Sequence, residues 1–130
     1  MAKPQKGGRL QRRIASFGYA FRGVWSALGS EVHLRFHALS TVVAVGLGFY
    51  FGLSRLDWAL VVLAIGTVWS AELMNTAVEA IVDLVSPDYH VLAGKAKDVA
   101  AGAVLVTAIA ALVIGVLVFG PHVGALWQGQ

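Results

Sequence analysis

From Val99 to Phe119 no residue carries a charge. At about 1.5 Å per residue, a helix over that stretch is about 30 Å long, the thickness of a bilayer's hydrocarbon core. A chain of 130 residues has too little else to bury such a helix in water. Charged residues make up 13% of the sequence, against about a quarter in a soluble domain. They are clustered and leave other long uncharged windows. The chain therefore reads as an all-α integral membrane protein with one compact membrane domain. It has no cysteine, which excludes disulfides. The net charge of +3 comes from basic residues flanking apolar segments, without a patch of interleaved aromatics. Membrane headgroups, not nucleic acid, are the expected counter-charge.

Three transmembrane helices and an N-terminal amphipathic surface helix are expected. Residues 1–8, with Pro4, Gly7 and Gly8 and no apolar cluster, read as a disordered cytoplasmic tail. Over 9–28, Leu10, Ile14, Phe17, Phe21, Val24, Trp25 and Leu28 form one helical stripe. Arg12, Arg13 and Arg22 fall away from it, which describes a helix lying in the membrane interface. Gly29-Ser30 breaks that helix, and Ser30 is expected to N-cap the next, with Glu31 in its first turn. A first span runs over about 34–54, with Gly46, Gly48 and Gly52 allowing close helix approach. His37, at its entry, reads as an interfacial anchor. Ser54 to Asp57 is a short polar turn before a second span over 58–85. A connection from Ser86 to Asp98 leads into the third span over about 98–119, which Gly120-Pro121 ends, leaving 121–130 as a short tail. Basic residues place the N-terminus and the 86–98 connection in the cytoplasm, with Arg55 the one basic residue of the turn between the first two spans.

The second span carries an unusual row. Glu72, Asn75, Glu79 and Asp83 fall within roughly 80° of one another on one helical face. An ionisable group deep in a membrane helix costs about 2.5–3.5 kcal/mol on insertion scales, so the row calls for a compensating partner, most simply a cation. Acids in water at a helix end would account for Asp83 but not for Glu72. Counted from Trp58, Glu72 lies about 21 Å along the helix, Glu79 about 31 Å and Asp83 near 37 Å. The row thus climbs from beyond the midplane to the cytoplasmic surface. Glu31, and Lys97 with Asp98, return to the same level. Carboxylates, an amide and an ammonium at one interface suit a magnesium–polyphosphate site. Neither a Walker-type phosphate loop nor a glycine-rich kinase loop is present in the sequence, so a nucleotide kinase here must be of another type.

These residues carry a resemblance. Glu72-Leu-Met-Asn75-Thr-Ala-Val-Glu79-x-x-x-Asp83, followed by Ala93-Gly-Lys-Ala-Lys97-Asp98-Val-Ala-Ala-Gly102, resembles the small bacterial membrane lipid kinases, which include diacylglycerol kinase and undecaprenol kinase. The likeness extends over roughly Arg12 to Phe119 and includes Gly18 to Gly23 and Glu31. It implies a homotrimer in the bacterial inner membrane with active sites shared between subunits, and ATP, Mg²⁺ and a lipid alcohol as reactants. By matched position Glu72 is the general base, and Glu31 and Glu79 hold Mg²⁺. Asn75, Lys97 and Asp98 bind or position the nucleotide, as does Glu79 through its metal, with Asp83, Arg12, Tyr19 and Tyr89 in support.

For the lipid, Arg35-Phe36-His37 is similar to the undecaprenol kinase branch, as are Leu92-Ala93 and the run after Asp98. Undecaprenol is the first expectation and diacylglycerol the second. A small oligomeric ion transporter using Glu72 is the remaining class, but it has no evident use for the shallow acids or for Asp98 beside Lys97.

Overall fold

The computed structural model describes residues 8–129 and consists of four helices: α1 (Arg9–Ser30), α2 (Val32–Phe51), α3 (Arg55–Val85) and α4 (Val91–Gln128). The expected tail over 1–8 lies outside the described residues except for Gly8, whose amide donates to Gln11 Oε1 at the start of α1. α2, α3 and α4 are each long and apolar enough to cross a membrane. The apolar stripe of α1 is left uncovered by its own chain: Leu10, Ile14, Phe17, Phe21 and Trp25 are all exposed, while Ala27 near its end is buried. A helix that keeps such a stripe outward in a chain with apolar spans belongs at a membrane interface.

One residue separates α1 from α2. Glu31 is extended, with φ −98° and ψ 119°, and its amide donates to Ala27 O at 2.8 Å. Arg35 then reaches back, donating from Nε to Leu28 O at 2.9 Å and from Nη2 to Gly29 O. Its guanidinium thereby satisfies carbonyls at the end of α1, where the helix dipole favours a cation. The expected N-cap at Ser30 is not what forms. Ser30 is the last residue of α1, and Glu31 is the N-cap of α2 without a side-chain cap bond. The tight corner leaves no room for a separate capping residue.

Between α2 and α3 the chain turns at Gly52, which is left-handed with φ 64° and ψ 51°, a conformation open to glycine. Ser54 N-caps α3: its Oγ accepts from the Asp57 amide at 3.2 Å, and Asp57 Oδ2 accepts from the Ser54 hydroxyl at 2.6 Å. The stretch 54–57, read as a turn, is thus a capping box that starts α3 three residues earlier than the expected span. Trp58 folds back over Gly48, where an added Cβ would sit 2.7 Å from the indole. Leu53, Val61 and Val118 are buried here, with Phe51, Trp58, Ile65, Ile114 and Phe119 packed around them.

At the other end, Ser86 to His90 join α3 to α4, and His90 Nδ1 accepts from the Leu92 amide as N-cap. Lys95, Lys97 and Asp98, expected in a connection, therefore lie in the first turns of α4. That helix also runs past Gly120-Pro121 to Gln128 and takes in most of the expected tail. Pro121 removes one amide donor, but His122 Nδ1 lies 2.9 Å from Val118 O, and the His122 ring packs 5.4 Å from that of Phe51. Side-chain packing holds the helix through a residue that local preference would use as a stop. At 1.5 Å per residue, 38 residues extend about 57 Å, so α4 projects beyond a hydrocarbon core of about 30 Å.

Candidate active site

The acidic face of α3 holds its polar groups in consecutive turns, each with a different partner. Deepest is Glu72, at 5% exposure the one buried charged residue among those described. Its Oε1 lies 3.1 Å from Nε2 of His37 on α2. One further bond joins the two helices at this register. Trp69 Nε1, one turn from Glu72, donates to Thr41 Oγ1 at 3.0 Å, and the Thr41 hydroxyl donates to His37 O at 2.8 Å. A carboxylate that is costly in hydrocarbon thus has an imidazole nitrogen beside it, on a helix that Trp69 ties to α3.

One turn on, Asn75 Nδ2 donates to Glu79 Oε1 at 3.0 Å, while Asn75 Oδ1 is buried with no hydrogen-bond partner. The last group of the row, Asp83, receives Lys97 Nζ from α4 at 2.5 Å. Because α3 ends where α4 begins, the antiparallel pair brings the shallow acids of one beside the ammonium of the other. The row therefore passes from a buried carboxylate, through an amide-held carboxylate, to an exposed ion pair.

The other expected site residues are less assembled. Glu31 accepts from Ser30 Oγ at 3.1 Å. Arg12, Tyr89 and Asp98 are exposed, and among the described residues none makes an ion pair or side-chain hydrogen bond with the α3 row. Tyr19 is half-exposed, with the Arg22 guanidinium 5.9 Å from its ring centre. Among the described residues no three His, Cys, Asp or Glu side chains group to hold a metal. His37, expected as an interfacial anchor, meets Glu72. Sequence reasoning misses Arg35, Thr41 and Trp69. The available signal was a short polar row, His37, Ser40 and Thr41, inside a window without Asp, Glu, Lys or Arg.

An apolar cavity of about 390 Å³ opens among α2, α3 and α4, lined by Phe36, His37, Thr41, Trp69, Leu112 and Phe119 among others. His37 thus borders both the cavity and the buried carboxylate.

A buried carboxylate near an apolar cavity, with a polar row leading from it to an exposed ion pair, sets a single deep acid at the inner end of a chain of polar groups. The family model for prokaryotic diacylglycerol kinase matches residues 18–119. The undecaprenol kinase of Bacillus subtilis is 43% identical over 112 residues, covering 86% of this chain and 91% of that protein. A diacylglycerol kinase of Synechocystis is 41% identical over 103 residues, 78% of this chain and 59% of that one. The diacylglycerol kinase of Escherichia coli K12 is 29% identical over 113 residues, 87% and 93% of the two chains. The chain belongs to the prokaryotic diacylglycerol kinase family: it is a membrane lipid kinase, with ATP as phosphoryl donor.

Proposed function

We propose that the chain phosphorylates the hydroxyl of undecaprenol, with Glu72 as the general base and the α3 row as the nucleotide side of the site. The observation that carries this reading is the gradient along α3, from buried Glu72 to the exposed Asp83–Lys97 pair. The lipid hydroxyl belongs with the deep carboxylate, and the polyphosphate with the shallow groups. Undecaprenol is favoured over diacylglycerol by the 43% identity to the undecaprenol kinase over 91% of that protein, where the diacylglycerol kinase at 41% is matched over 59% of its length, and by His37.

In the reaction, Glu72 takes the proton as the lipid O–H bond breaks. The lipid oxygen forms a bond to the γ-phosphorus, and the bond from that phosphorus to the ADP oxygen breaks. Little covalent chemistry falls to the protein beyond that proton; the rest is positioning and charge. Lys97 offers an ammonium to the phosphates, and Asp98 and Asn75 position the nucleotide. Arg12, Tyr19, Asp83 and Tyr89 support it.

Hard oxygen donors on this chain suit a magnesium ion. Glu31 and Glu79 offer hard carboxylate oxygens, and the buried, unpartnered Asn75 Oδ1 is a further oxygen beside Glu79. When bound, Mg²⁺ supplies positive charge to the polyphosphate during transfer. The family resemblance supports the bacterial inner membrane, and the basic residues around the first span support a cytoplasmic N-terminus. A homotrimer with sites shared between subunits follows from the family resemblance and gives the many exposed apolar side chains neighbours in protein as well as lipid.

Phosphate transfer from labelled ATP in mixed micelles tests the reading, with undecaprenol and diacylglycerol offered separately and Glu72→Gln as control. Transfer mainly to undecaprenol is expected. Transfer mainly to diacylglycerol would replace the substrate, and transfer that survives Glu72→Gln would remove Glu72 as base.

A further inference from the structure

The reaction above uses Glu72 but leaves its partner without a task. His37 has a half-buried imidazole whose Nε2 points at the base from a different helix, and three features suggest more than a chance contact. The N···O distance of 3.1 Å is within hydrogen-bond range. The contact lies one turn from a bond between the same two helices, donated by Trp69 Nε1 to Thr41 Oγ1. The Phe36 ring stands edge-on to the imidazole, with centroids 5.8 Å apart.

A carboxylate base has two oxygens, and the carboxyl group of a long Glu side chain turns easily about its last bond. A donor fixed on one oxygen leaves the other aimed. Among the described residues His37 is the side chain paired with the Glu72 carboxylate. With Oε1 engaged, Oε2 is the oxygen left for the lipid hydroxyl. His37 also lines the apolar cavity, so the same side chain stands between the space for a lipid chain and the group that deprotonates its head.

We propose that His37 is a positioning residue for phosphoryl transfer: its Nε2–H holds Oε1 of Glu72 and so aims Oε2 at the lipid hydroxyl. The inference rests on Glu72 being the base. Misplacing a reacting group by about 1 Å costs about 10²-fold in rate, and that sets the scale of the test.

His37→Leu keeps the bulk and removes the donor; its kcat is expected to fall about 10²-fold with KM for ATP and for the lipid unchanged. His37→Gln places an amide N–H near the position of Nε2, and its kcat is expected to return to within about tenfold of the parent. In a Glu72→Gln background, His37→Leu is expected to cause no further loss, because residues that act as a unit are not additive. Full activity of His37→Leu would overturn the proposal. So would an equal fall in His37→Leu and His37→Gln, a rise in KM for ATP in place of the kcat loss, or additive losses in the double variant. If Glu72→Gln alone turns over normally, the base assignment fails. If it is inactive while His37→Leu is fully active, only the role of His37 fails.

Discussion

Lys97 Nζ reaches Asp83 Oδ1 across the junction of α3 and α4, joining the last turns of one helix to the first turns of the next. Fourteen positions separate the two in sequence, and the short connection from Ser86 to His90 makes them neighbours. The pair is open to water, with Asp83 the more exposed partner. Exposed ion pairs add little stability, and in the proposed function this one places charge for a polyphosphate.

Lys97→Met is expected to raise KM for ATP with little change in unfolding. Asp83→Asn is expected to leave Lys97 free and to alter KM for ATP less than Lys97→Met does. Titrating KM against salt checks the assignment: the parent's nucleotide affinity should fall with salt more steeply than that of Lys97→Met.

Glu79→Gln is expected to keep the Asn75 contact, since an amide oxygen can still accept from Nδ2, but to lose a charged metal ligand. Nucleotide binding should then weaken in a way that added Mg²⁺ partly restores. An unchanged Mg²⁺ titration would remove Glu79 from the metal site.

Gly48→Ala brings a Cβ to within 2.7 Å of Trp58, a distance that forces the indole to move. A loss of about 1–3 kcal/mol is expected from overpacking of this kind, read from unfolding in mixed detergent micelles. Gly46→Ala, where an added Cβ meets nothing within 4 Å of its own chain, serves as the paired control and should be close to neutral in the isolated subunit's fold.

Pro121→Ala restores an amide that can donate to Leu117 O inside α4. Stability is expected to rise by about 0.5–2 kcal/mol, as is common when a helix interior regains its regular bonds. Unfolding in the same micelles checks it; a fall would mean that Pro121 shapes the helix for packing against Phe51 and His122.

Much of this was legible one segment at a time. The spans follow from uncharged windows, the surface helix from the spacing of Leu10 to Leu28, and the acidic face from the spacing of Glu72, Asn75, Glu79 and Asp83. Each is a periodicity along a single helix, and periodicity is set by backbone geometry that every helix shares. The ends of helices were harder. Ser54 and Asp57 carried a capping box in plain view, whereas α4 passes Gly120-Pro121 because His122 and Phe51 hold it, a contact between distant positions.

The sequence by itself determined a membrane protein of three spans with a row of acids on one of them, because hydropathy and helical period act locally. Only the tertiary structure decided that His37 meets Glu72, that Gly48 is the glycine a tryptophan needs, and that Lys97 finishes the row at Asp83. Which face of α2 turns towards which face of α3 depends on the one-residue corner at Glu31, the left-handed turn at Gly52 and the Trp69–Thr41 bond acting together. Those constraints couple residues tens of positions apart, and no repeat along one helix encodes them.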